Sequence, residues 1–143
     1  MIKNCIWITW EKQRRTDSLS EELRVQLFRL TPHRNYLIKT IFLSIKTIFI
    51  LSKHNPRILI VQNPSMFLTG LVCFLMPIFN YKLVVDRHSN FKFHTSTNKS
   101  LKYRAFHWVS RFTVQKANLT IVTNQYLADI VSKWGGNPFV LQD

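Results

Sequence analysis

The chain has 143 residues, 46% of them apolar and 19% charged. That is long enough for one buried core and too apolar for a disordered polypeptide. Lys and Arg number 20 against 7 Asp and Glu, a formal net charge of +13, which suits anionic partners such as phosphates, acidic lipid headgroups or nucleic acid. The two cysteines, Cys5 and Cys73, exclude a disulfide-dense scaffold and a cysteine-cluster zinc site. Both lie in apolar runs, as buried free thiols do.

Met1 to Trp10 is too short an apolar run for a secretory leader, and Glu11, Lys12, Arg14 and Arg15 follow at once. Cys5 to Thr9 reads as a first strand. The segment Trp10 to Thr16 after it is polar and basic, read either as a solvated loop or as a place where Arg14 and Arg15 fork onto phosphate oxygens. Val25 to Leu30 is the second strand. Helical spacing then runs from Asn35 to Lys53, with Lys39, Lys46 and Lys53 at every seventh position. At about 100° per residue these lysines drift only about 20° per step and form one stripe. Leu37, Ile38, Ile41, Phe42, Ile45, Ile48 and Phe49 occupy the rest. Such a helix either packs on a sheet with its lysines in solvent, or rests on an anionic membrane with the lysines at the phosphates.

Ile58 to Tyr81 carries no formal charge and has the length of a membrane span. Gln62-Asn63-Pro64-Ser65 interrupts it as a turn, however, so a strand from Ile58 to Gln62 and a buried helix from Ser65 to Phe79 fit the residues better. Ile58-Leu59-Ile60-Val61 is apolar on both faces, the pattern of a covered parallel strand. Asn63 or Ser65 is suited to cap the helix, whose N-terminus also attracts anions. A strand from Leu83 to Asp86 leads into a polar stretch, Arg87 to Ser100, read as a long loop at the carboxyl edge of the sheet. His88 stands just beyond the strand end, between Arg87 and Asn90, where ligands of open α/β sheets bind and where its near-neutral pKa lets it give or take a proton. A helix from Leu101 to Lys116, a strand from Leu119 to Thr123, a helix capped by Asn124 and ended by Gly135-Gly136, and a strand from Phe139 to Leu141 complete the chain. Strands alternating with helices predict a Rossmann-like, doubly wound α/β domain, mostly parallel, with helices on both faces.

The glycine count is three, which excludes the glycine-rich phosphate cradles of dinucleotide and P-loop sites. No HExxH or CxxC supports a metal site. Asp86 is the only carboxylate between Arg24 and Ala128, too few for a paired-acid hydrolase. Nucleic-acid binding is suggested by the charge and by Trp and Phe beside basic residues, but it is not the expected role, because no recognised nucleic-acid motif is present.

Four blocks of residues resemble the N-terminal half of family 4 glycosyltransferases of the GT-B fold. The fullest runs from Ala117 through Asn124, Leu127-Ala128 and Trp134-Gly135-Gly136-Asn137-Pro138 to Leu141. The others are Val84 to Phe91, Val61 to Ser65, and Trp7 to Thr16. The resemblance implies one of two Rossmann-like domains that face each other across a cleft. It implies a glycan or lipid-linked acceptor on this domain, and a nucleotide-sugar on a C-terminal domain that the 143 residues do not include. Retaining transfer without a metal is also implied. His88 would be the catalytic cleft residue, with Arg14, Arg15, Asn63, Arg87 and Asn90 along the acceptor side. The glycine-rich first loop of many members is replaced here by Glu11 to Thr16. The chain is therefore expected to be a single acceptor-binding domain, inactive alone. It would bind no cofactor of its own and be completed by a donor-binding half on a separate chain, unless it is a truncated product. The alternative is a non-catalytic subunit that anchors such a half at an anionic membrane. Either would work in the cytoplasm or on the inner face of the plasma membrane.

Overall fold

The computed structural model describes residues 4–30, 35–63, 65–88 and 100–142. In chain order the elements are β1 (Cys5–Thr9), α1 (Arg14–Glu22), β2 (Gln26–Arg29), α2 (Tyr36–His54), β3 (Ile58–Asn63), α3 (Met66–Phe79), β4 (Lys82–Arg87), α4 (Leu101–Lys116), β5 (Leu119–Val122), α5 (Gln125–Lys133) and β6 (Pro138–Val140). The strands form one six-stranded sheet in the order β2-β1-β3-β4-β5-β6, and every pairing is parallel. This is the doubly wound arrangement expected from the alternation of strands and helices. The order reverses beside β1, so the crevice of the switch point opens at the carboxyl ends of β1 and β3.

Period-two alternation divides the strand residues between two cores. Cys5 and Trp7 of β1 and Ile60 of β3 face one way, packing with Leu19 of α1 and with Val25. Ile6, Ile8 and Trp10 face the other way, with Leu59, Val61, Leu83 and Val85, under Leu43, Ile50 and Leu51 of α2 and Leu68 and Val72 of α3. Trp10 Nε1 donates to Thr47 Oγ1 at 3.1 Å and pins α2 over β1. Helix α4 closes against α3, where a Cβ on Gly70 would lie 3.6 Å from Val109. Helix α5 continues the same layer, with Leu127, Ala128 and Val131 packed on Val122 and Val114.

Local chemistry sets the ends of these elements. Ser65 Oγ accepts the Leu68 N–H at 3.3 Å, and Asn124 Oδ1 accepts the Leu127 N–H at 3.0 Å, so both helices begin at side-chain caps. Gly135, with φ at +84°, stops α5. A Cβ on the next residue, Gly136, would fall 2.6 Å from Val114 Cγ1, so only glycine fits that close approach. Both cysteines are free and buried.

The structure differs from the sequence reading at three places that matter for the site, the first being strand β3, which takes in Asn63 where a turn residue was expected. Helix α1 begins at Arg14, so Arg14 and Arg15 occupy the first turn of a helix instead of a loop. Its buried side chains are Thr16 and Ser20, small polar groups that leave no apolar period to detect. Strand β4 also runs one residue further than expected and takes in Arg87. Of the polar stretch from Arg87 to Ser100, residues 89–99 lie outside the described residues, Asn90 among them.

Candidate functional site at the carboxyl edge

The carboxyl ends of β1, β3 and β4 gather most of the buried polar side chains of the sheet: Thr9, Gln62, Asn63, Asp86 and Arg87. Their placement follows from register. Gln62 pairs with Asp86, and Asn63 with Arg87. Neighbouring pairs point to opposite faces of the sheet, so the edge holds two separate clusters.

On the α1 face, Thr9 Oγ1 donates to Gln62 Oε1 at 2.9 Å and ties the ends of β1 and β3 together. Asp86 has no exposed surface. Arg15 reaches across from α1, placing Nε 3.4 Å from Asp86 Oδ1, and its Nη2 donates to the Leu141 carbonyl at 3.1 Å. A cation in the first turn of a helix opposes the helix dipole; the buried carboxylate below compensates for Arg15. Burial still dominates at Asp86 and raises its pKa above the usual carboxylate value, although the charges of Arg15 and His88 pull it down. His88 lies two residues on and is half-buried. Three buried polar atoms of this cluster have no hydrogen-bond partner among the described residues: Gln62 Nε2, Asp86 Oδ2 and His88 Nδ1.

On the opposite face, Arg87 is almost wholly buried. Nη1 donates to Ser110 Oγ of α4 at 2.7 Å. With the Asn63 amide turned so that its oxygen meets the guanidinium, that oxygen accepts from Arg87 Nε at 3.1 Å and also from Nη2. Burial lowers the Arg87 pKa to about 9, which leaves it cationic at neutral pH. Arg87 Nη2 also lies 3.7 Å from Met66 Sδ. Met66 is part of the wall of a cavity of about 650 Å³ framed by the N-terminal turns of α2, α3 and α4. Tyr36, Phe67, Tyr103 and Phe106 give this cavity aromatic walls, with Lys39 and Lys102 beside them.

The residues singled out from sequence therefore separate. Arg15 and His88 meet around Asp86. Asn63 and Arg87 meet each other across β3 and β4. Arg14 is exposed on α1, with its neighbour Arg15 turned inward. Asp86, Gln62 and Thr9 were not singled out as binding residues. The signal for Asp86 was its isolation as a lone carboxylate at the end of an apolar strand. The cavity aromatics come from three helices far apart in sequence, and spacing alone cannot group them. Among the described residues no cluster of His, Cys, Asp and Glu could hold a metal ion.

Comparison with known proteins fits this arrangement. The sequence profile of Glycosyltransferase Family 4 matches residues 10–140, from the end of β1 to β6. No curated protein matches the chain.

Proposed function

Because the chain belongs to glycosyltransferase family 4, we propose that it is the acceptor-binding domain of a retaining glycosyltransferase, and that the carboxyl edge of its sheet is where the acceptor lies. One observation carries this reading. Gln62 Nε2, Asp86 Oδ2 and His88 Nδ1 are buried together without partners among the described residues, beside the switch point where open α/β sheets take ligands. Buried polar groups are nearly always satisfied, so a set of donor and acceptor atoms left open at one edge fits the hydroxyl groups of a sugar.

In this reading His88 touches the reacting sugar, and Arg15 is a positioning residue that holds Asp86 beneath it. Asn63 and Arg87 lock the ends of β3 and β4, and through Met66 they fix one wall of the cavity. Arg14 extends the acceptor side. The nucleotide-sugar donor is assigned to a second Rossmann-like domain across a cleft, and the product to a glycan or lipid-linked precursor of the cell envelope. With no cluster of basic residues among the described residues placed around a leaving diphosphate on this edge, the purified chain supplied with both nucleotide-sugar and acceptor is expected to give negligible transfer by itself.

Imidazole and side-chain amide NMR signals of the full chain test the assignment. Titration with a neutral oligosaccharide and with a polyprenyl diphosphate-linked amino sugar is expected to shift His88 and Gln62. Uridine and guanosine diphosphate sugars are expected to leave them in place. Shifts produced by the nucleotide-sugars, with none from either acceptor, would assign the edge to the donor and overturn the reading.

A further inference from the structure

Helix α2 is built inside out for a sheet-covering helix. Only Leu43, Thr47, Ile50 and Leu51 are buried, an arc of about 100° at 100° per residue. Opposite that arc stand Ile38, Ile41, Ile45 and Phe49, with Leu37 on the flank away from the lysines, each between 61 and 75% exposed. A helix on a solvated surface carries polar residues there. Lys39, Lys46 and Lys53 lie along one flank, between the buried and the outward arcs, and Lys46 Nζ rests 4.5 Å from the centre of the Phe42 ring.

The apolar surface does not end with α2. Tyr36 meets Phe67 of α3 with ring centroids 6.1 Å apart. Phe74 of α3 meets Phe112 of α4 at 5.4 Å, and Trp108 stacks on Phe112 at 5.5 Å. Phe67, Phe74, Ile78 and Trp108 are all more than half exposed. Three adjacent helices thus present one continuous outward band. Isolated exposed apolar residues are ordinary; a contiguous band of this kind marks an interaction surface.

Charge identifies the occupant. The three helices carry no Asp or Glu, and they carry Lys102, Arg104, Arg111 and Lys116 besides the lysine flank. On the other face of the sheet, α1 carries Asp17, Glu21 and Glu22. We propose that the outer face of α2, α3 and α4 docks on an anionic lipid bilayer, its apolar side chains entering the acyl boundary and its lysines meeting the headgroup phosphates. A second copy of the chain fits poorly, because it would set one lysine flank against another. No helix among the described residues is long and apolar enough to cross a membrane, so the chain lies on the bilayer. This docking goes beyond the acceptor reading and does not depend on it.

Vesicle flotation of the full chain tests it. Binding is expected to vesicles with about 30 mol % phosphatidylglycerol in phosphatidylcholine, and to weaken at least about tenfold on pure phosphatidylcholine or in high salt. Ile41→Ser with Ile45→Ser, and separately Lys46→Glu with Lys53→Glu, are each expected to abolish flotation. All four positions are exposed, and unchanged thermal unfolding of each variant verifies that the fold is kept. Equal binding to neutral and anionic vesicles would overturn the proposal, as would flotation that survives both variants. So would a concentration-dependent dimer on gel filtration that the same substitutions dissolve, because a second copy would then occupy the face.

Discussion

Helices α1 and α2 cover the same sheet from opposite sides and do so in opposite ways. Helix α1 turns Thr16 and Ser20 inward and keeps three carboxylates. Helix α2 turns Leu43, Ile50 and Leu51 inward and also leaves an apolar arc outside. Packing on the sheet accounts for the inner arcs of both. It accounts for the outer arc of neither, because an outward side chain contributes almost nothing to the core. The outer composition therefore fits water on the α1 side and, under the proposed docking, the less polar phase of a bilayer on the α2 side. Between the two faces lies the carboxyl edge, where Arg15, Asp86 and His88 gather on one side and Asn63 and Arg87 on the other.

The largest expected effect separates the two arcs of α2. Leu43→Ala is expected to destabilise the fold by about 2–5 kcal/mol, and Ile45→Ala by no more than about 0.5 kcal/mol, read from urea unfolding. Equal losses would mean that the outward arc is packed in the free chain, and the contrast with α1 would collapse.

The next effect lies on the α1 side. Arg15→Ala leaves the Asp86 carboxylate buried without its cation and is expected to cost about 3 kcal/mol near neutral pH. The loss should shrink as pH falls toward and through the folded-state pKa of Asp86, which lies above the ordinary 3.8, because a protonated Asp86 has no need of the guanidinium. A loss of constant size across that range would show that Arg15 acts through packing alone.

A smaller effect concerns Asp86 itself. Its pKa is raised in the folded chain, so the native state binds the proton more tightly than the unfolded state. The group's contribution therefore declines as pH rises from about 3.8 through the folded pKa, by at most about 1.4 kcal/mol per pH unit. Relative to Asp86→Asn, the wild-type chain is expected to lose stability over that window. A gain instead would mean that attraction to Arg15 outweighs burial.

Most of the fold was legible in the sequence because it rests on local chemistry. Ile58-Leu59-Ile60-Val61 has the pattern of a covered strand, Ser65 and Asn124 are cap residues in cap positions, and Gly135-Gly136 ends a helix. Helix α1 was not legible, because Arg14–Glu22 buries hydroxyl groups and Leu19 is its only large apolar residue. Neither arc of α2 could be assigned, since a helix apolar nearly all round does not say which side meets the sheet; Trp10 and Thr47 settle that across 37 positions. At the site, His88 was readable from its place after a strand. The joining of Asn63 to Arg87, and of Arg15 to Asp86, needed the β3–β4 register and the reach of α1 over the sheet, neither of which a linear pattern contains.

The opposition of the two faces can be measured with nitroxide labels. The native thiols are buried, and burial raises Cys73 to about 12, so a cysteine introduced at an exposed position reacts selectively. Labels at Ile45→Cys on α2 and Ser18→Cys on α1 would be compared on anionic vesicles, using oxygen as the lipid-soluble relaxant and a nickel chelate as the water-soluble one. The Ile45→Cys label is expected to gain oxygen collisions and lose chelate collisions on binding, and the Ser18→Cys label to stay open to the chelate. Equal responses from the two labels, or protection of the α1 label alone, would contradict the assignment of the α2 face to the bilayer.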